Sequence, residues 1–162
     1  MIWVGLCTTF PRTRSRESRR INGEWYTCED HIVRPVVRGE LLGGDDTWVQ
    51  TLFLLDTGAD RTVLSASVLA ALSLESIETG ERLGGVGGVA DTVAVETRMQ
   101  LPSDDDRMIA FSGRYAAFTQ LEALDMSVLG RDILQLFAVI FDQPRGLVCM
   151  LRDRHDYTIA FG

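Results

Sequence analysis

A chain of 162 residues with 46% hydrophobic content and four prolines fits one globular body large enough to bury a core, not a disordered chain. Its 16 basic residues are all arginine and face 23 acidic ones, and a formal net charge of -7 argues against general affinity for nucleic acid. Cys7, Cys28 and Cys149 lie far apart and include no C-x-x-C pair, while His31 and His155 stand singly, so neither a disulfide framework nor a metal site is expected.

Met1 to Leu6 is apolar but short, and arginines follow it instead of preceding it, the wrong order for a secretory signal. No stretch approaches the ~20 apolar residues needed to span a bilayer, so a cytoplasmic chain with no membrane partner is expected. Residues 1–20 hold five of the arginines and one acid, leaving 11 basic and 22 acidic residues beyond: an acidic body carries a basic arm. Thr8 to Asn22 is rich in Arg and Ser without apolar periodicity and reads as a mobile tail. Trp25, Tyr26 and Cys28 form an apolar island whose aromatics could pin the arm to the body.

From Ile32 the pattern turns to strands. Val33 to Leu42 leads into Gly43-Gly44-Asp45-Asp46, which has hairpin-turn chemistry, and Trp48 to Leu55 is the return strand. Val63 and Leu64 make a further short strand; Ser65 is an N-cap candidate, and Val68, Leu69 and Leu72 have the spacing of a helix over Ala66 to Leu72. Thr92 to Leu101 alternates, Ser103 to Arg107 is an acidic turn, and Met108 to Phe118 is another strand. Val128-Leu129 ends one more at Gly130, and Ile133, Leu134 and Phe137 mark a short helix. Ala138 to Phe141 and Leu147 to Leu151 flank a turn, Asp142 to Gly146, giving a last hairpin. Many short strands, frequent turns and one or two short helices define an all-β fold.

The stretch Leu52 to Leu64 stands out because an apolar run halts at a carboxylate, Asp56, and resumes only after Thr57, Gly58 and Ala59. A carboxylate at the mouth of a strand-loop-strand turn is expensive unless hydrogen bonds compensate it. The Thr57 hydroxyl can lock the loop, and Gly58 lets backbone amides approach. Gly85-Val86-Gly87-Gly88-Val89-Ala90 matches a dinucleotide fingerprint, but an alternating strand follows it where a phosphate-binding helix is required. A glycine cluster between strands reads instead as a hairpin tip able to lay its backbone against a ligand.

These residues resemble the retropepsin-like aspartic proteases, which include retroviral proteases and single-domain bacterial relatives. Leu54 to Leu64 is similar to the family's active-site segment, Gly85-Val86-Gly87-Gly88 falls where its flap belongs, and Val128 to Leu134 is similar to the segment before its C-terminal helix. The resemblance covers about Val33 to Leu151 and implies an all-β, half-barrel acid-protease fold with a glycine-rich flap hairpin. It divides the chain into a basic N-terminal arm (1–31), a protease domain (32–152) and a C-terminal tail or dimer-interface strand (153–162).

It further implies that Asp56 is catalytic with Thr57 and Gly58 orienting it. Ala59, Asp60, Gly85, Val86, Gly87 and Gly88 would contact peptide substrate, and Arg131 would pair with Asp60, supported by Gly130. One Asp-Thr-Gly supplies one carboxylate, so the resemblance implies a homodimeric endopeptidase that needs no metal or cofactor. The alternative is a peptide-binding module that keeps the fold without cleaving; a third reading, a nucleic-acid factor acting through the arm, requires salt-sensitive binding.

Overall fold

The structure, a computed structural model, describes residues 20–85 and 88–152. Ten strands run in chain order: β1 (Arg20–Thr27), β2 (Val33–Leu42), β3 (Trp48–Leu55), β4 (Val63–Leu64), β5 (Ile77–Gly85), β6 (Gly88–Pro102), β7 (Met108–Phe118), β8 (Ser127–Leu129), β9 (Ala138–Asp142) and β10 (Leu147–Leu151). Two short helices interrupt them, α1 (Ala66–Leu72) and α2 (Arg131–Leu134).

The sheet order is β5-β6-β7-β4-β8-β3-β2-β1-β10-β9, and an additional β6–β2 pairing joins Glu40 to Gln100 and Leu41 to Met99. That pairing returns the sheet onto itself, closing β2, β3, β8, β4, β7 and β6 into a ring. At the seam, the Gln50 and Gln100 side-chain amides donate to the two oxygens of Glu40 at 2.7 and 2.8 Å. Thr97 adds a hydroxyl bond to the Leu42 carbonyl at 2.7 Å. Inside the ring, Val37, Leu41, Phe53, Leu64, Val95, Met99, Leu101 and Leu129 are fully buried, and α1 seals one side with Leu72. Alternation produces this: in β3, Thr51, Phe53 and Leu55 face inward while the residues between them are partly exposed.

Helix α1 occupies the residues expected from its spacing. Ser65 sits at the N-cap with extended backbone but makes no capping hydrogen bond. Its amide instead donates to the Ser127 hydroxyl at 3.0 Å, tying α1 to β8.

One expectation is corrected. Strand pairing already includes Arg20, ahead of the expected start at Ile32: residues 20–23 pair with β10, and residues 24–27 pair with β2. Ile21 is fully buried, Trp25 packs against Phe141 with ring centroids 6.2 Å apart, and Asp104 in the β6–β7 turn binds the Arg20 amide at 3.1 Å. The switch of partner falls at Gly23, where a Cβ would lie 2.4 Å from the Val36 carbonyl oxygen. Residues 1–19 of the expected arm and the expected tail 153–162 lie outside the described residues.

The strand that precedes the glycine cluster is β5, which runs through Thr79-Gly80-Glu81-Arg82. It is an exposed strand with an irregular register between Glu78 and Arg82, accommodated at Gly80 with φ +64°. With β6 it forms the glycine hairpin.

Candidate active site

β3 ends in a parallel pairing with β8, Leu55 opposite Leu129. The Asp56 amide extends that ladder by donating to the Leu129 carbonyl at 3.2 Å, so the half-buried carboxylate leaves the sheet at a fixed point. The Gly58 amide donates to Asp56 Oδ1 at 2.8 Å, and the Ala59 amide to the Asp56 carbonyl at 3.3 Å. A Cβ at position 58 would sit 3.1 Å from that same oxygen, which explains the glycine.

The return half of the loop is held from α2. Asp132 accepts the Thr62 amide at 2.9 and 3.0 Å and the Thr62 hydroxyl at 2.8 Å, and that hydroxyl in turn accepts the Gly130 amide at 3.1 Å. The Arg131 amide donates to the Ala59 carbonyl at 2.8 Å and the Asp132 amide to the Asp60 carbonyl at 3.2 Å. Gly130 passes so close beneath that a Cβ would lie 2.3 Å from the Arg61 carbonyl carbon. Its own backbone is extended, φ -90° and ψ -177°, so close approach and not conformation demands glycine. The expected pair is present as a direct contact between Arg131 Nη2 and Asp60 Oδ1. Both side chains are well exposed, 59% and 77%, and an exposed pair contributes only ~0–1 kcal/mol. The loop is therefore held mainly by Asp132 and the backbone bonds.

Sequence reasoning placed the locking hydroxyl at Thr57. That residue is exposed and makes no hydrogen bond within the described residues, whereas Thr62, 1% exposed, carries the lock. An Asp in the first turn of a helix was the available signal for its partner. Beneath, burial first and the Asp132 charge second push the Tyr115 phenol up to about 12; its hydroxyl donates to the Phe111 carbonyl at 3.2 Å.

Asp56, Gly58, Ala59 and Asp60 floor an open cleft of about 810 Å³. Its β5–β6 wall carries Leu83, Gly84, Gly88 and Val89, and the other wall carries Phe118, Glu122 and Leu124. Of the expected glycine tip, Gly88 lines the cleft with φ +122° and Gly85 ends β5; Val86 and Gly87 lie outside the described residues. The wall of Phe118, Glu122 and Leu124 was missed because it comes from a segment distant in sequence from the catalytic loop. Among the described residues no group of His, Cys, Asp or Glu could hold a metal ion, and no helix is long and apolar enough to cross a membrane.

A family profile described as aspartyl protease matches residues 38–133. Among solved structures, a retropepsin-like aspartic protease from Rickettsia conorii superposes with a TM-score of 0.56 at 16% identity, over 87% of this chain and 97% of that one, and shares the fold. EIAV protease complexed with the inhibitor HBY-793 is 29% identical over 68% of this chain and 90% of its own, with a TM-score of 0.46. No curated protein matches.

Proposed function

The chain belongs to the aspartyl protease family, and from that premise we propose that it is an endopeptidase acting as a homodimer, with one Asp56 from each protomer on the two-fold axis. The observation that supports this best is Asp56 itself: a half-buried carboxylate fixed by the Gly58 amide at 2.8 Å on the floor of an open cleft, in a chain with a single Asp-Thr-Gly.

Two adjoining carboxylates cannot both ionise readily, so the pair shares a proton, as aspartic protease dyads do. The ionised member takes a proton from a water held between them while the protonated member hydrogen-bonds the scissile carbonyl. The resulting hydrate collapses with loss of the amine, and no covalent intermediate, metal or cofactor is needed. Gly58 orients Asp56, and Ala59 and Asp60 meet the extended peptide backbone. Gly85 to Gly88 close over it, adding the peptide as a strand. Arg131 and Gly130 support the loop from below. The catalytic body in this reading starts at Arg20, and residues 1–19 take no part in the chemistry.

Purified protein incubated with a mixed peptide library at acidic and neutral pH tests it. Cleavage should be lost in Asp56→Asn, whose amide still accepts from Gly58 but cannot act as base, and activity per chain should fall on dilution. Turnover by Asp56→Asn refutes the carboxylate chemistry; undiminished specific activity from a sedimenting monomer refutes the shared site.

A further inference from the structure

The charges around the cleft are matched with one exception besides Asp56. Arg61 pairs with Glu81 at 3.0 Å, Arg82 with Asp91 at 3.1 Å, and Asp60 with Arg131. Glu122 lines the same cleft from the short turn Leu121–Ala123, is exposed, and has no ion pair or hydrogen bond among the described residues. Phe118 and Leu124, both half-buried, line the same wall. An apolar surface next to an unmatched carboxylate suits a side chain with a long aliphatic stem and a cationic head. The two cleft arginines, already matched by acids, offer no equivalent place for an acidic side chain.

We infer that Glu122 is a specificity-determining residue that selects peptides carrying arginine or lysine at the position lodged against Phe118 and Leu124. The inference rests on the cleft being the peptide site proposed above. Beyond residue 20 the body holds 22 acidic residues against 11 basic ones, which adds a long-range attraction for cationic peptides.

The test uses the full chain carrying Asp56→Asn, which holds peptide without consuming it. One labelled peptide set has a single arginine moved through every position, and a matched set has norleucine in its place. Binding is followed by fluorescence anisotropy at neutral pH and low salt. At one arginine position binding should be ~2- to 5-fold tighter than to the norleucine peptide, the scale of an exposed ion pair. The ratio should fall to about one when Glu122→Gln is added, and the parent enzyme should show the same ratio in kcat/KM. Equal binding at every position, binding of neither set, or a preference that survives Glu122→Gln overturns the inference. A parent that cleaves nothing, while Asp56→Asn retains the Glu122-dependent preference, would instead refute the protease reading and leave the binding preference standing.

Discussion

Replacing Asp132 with alanine separates the bonds that hold the catalytic loop from the ion pair beside them. The carboxylate accepts three hydrogen bonds from Thr62, two from its amide at 2.9 and 3.0 Å and one from its hydroxyl at 2.8 Å. It also accepts the Ile133 amide at 3.0 Å, but that amide keeps a second acceptor, the Gly130 carbonyl at 3.1 Å. The substitution therefore orphans two donors of Thr62, a residue 1% exposed. Each buried donor left unpaired costs ~1–3 kcal/mol, so a loss of about 2–6 kcal/mol is expected from a domain stability of ~5–15. Arg131→Ala next door removes only an exposed pair and should cost under ~1 kcal/mol in the isolated chain. Urea titration of both variants, with peptide cleavage measured at matched folded fraction, gives the comparison. Parental stability in Asp132→Ala, or equal losses in the two variants, would refute the claim that Asp132 and not the ion pair holds the loop.

Gly130→Ala should destabilise by ~2–3 kcal/mol or more and depress cleavage, because a Cβ 2.4 Å from the Arg61 carbonyl oxygen and 2.8 Å from the Thr62 amide nitrogen must push two backbone segments apart; thermal melts and activity check it. Tyr115 makes the chain sensitive to alkali. Its folded pKa, about 12, lies above the ordinary phenol value of 10.0, so the stability it contributes is full below pH 10 and drains away as pH rises from about 10 to about 12. Tyr115→Phe should flatten that decline in guanidinium titrations at pH 8 and 11.5, at the expense of one hydrogen bond, and an unchanged slope would refute the assignment.

Local pattern carried the sequence a long way. An apolar strand halted at Asp56, a helix spaced over Ala66–Leu72 and a strand over Met108–Phe118 are written in neighbouring residues, because burial on one face imposes a period along the segment itself. The same holds for Asp-Thr-Gly at a strand end and for glycines at a hairpin tip. Tertiary structure alone decided which segments meet. The lock between Thr62 and Asp132 spans 70 residues, and no period relates its ends. β1 was hidden because half of it is exposed and its neighbours are arginines, while the bounds of β5 were hidden by turn residues that an exposed, irregular strand tolerates. Whether a charge pair matters is likewise a matter of burial: sequence could place Arg131 near Asp60, but only the folded surface shows both in water, where screening makes the bond weak. Closure of the ring through β6 and β2 was beyond sequence for the same reason, since its hydrogen bonds join backbones and every residue carries the same donor and acceptor.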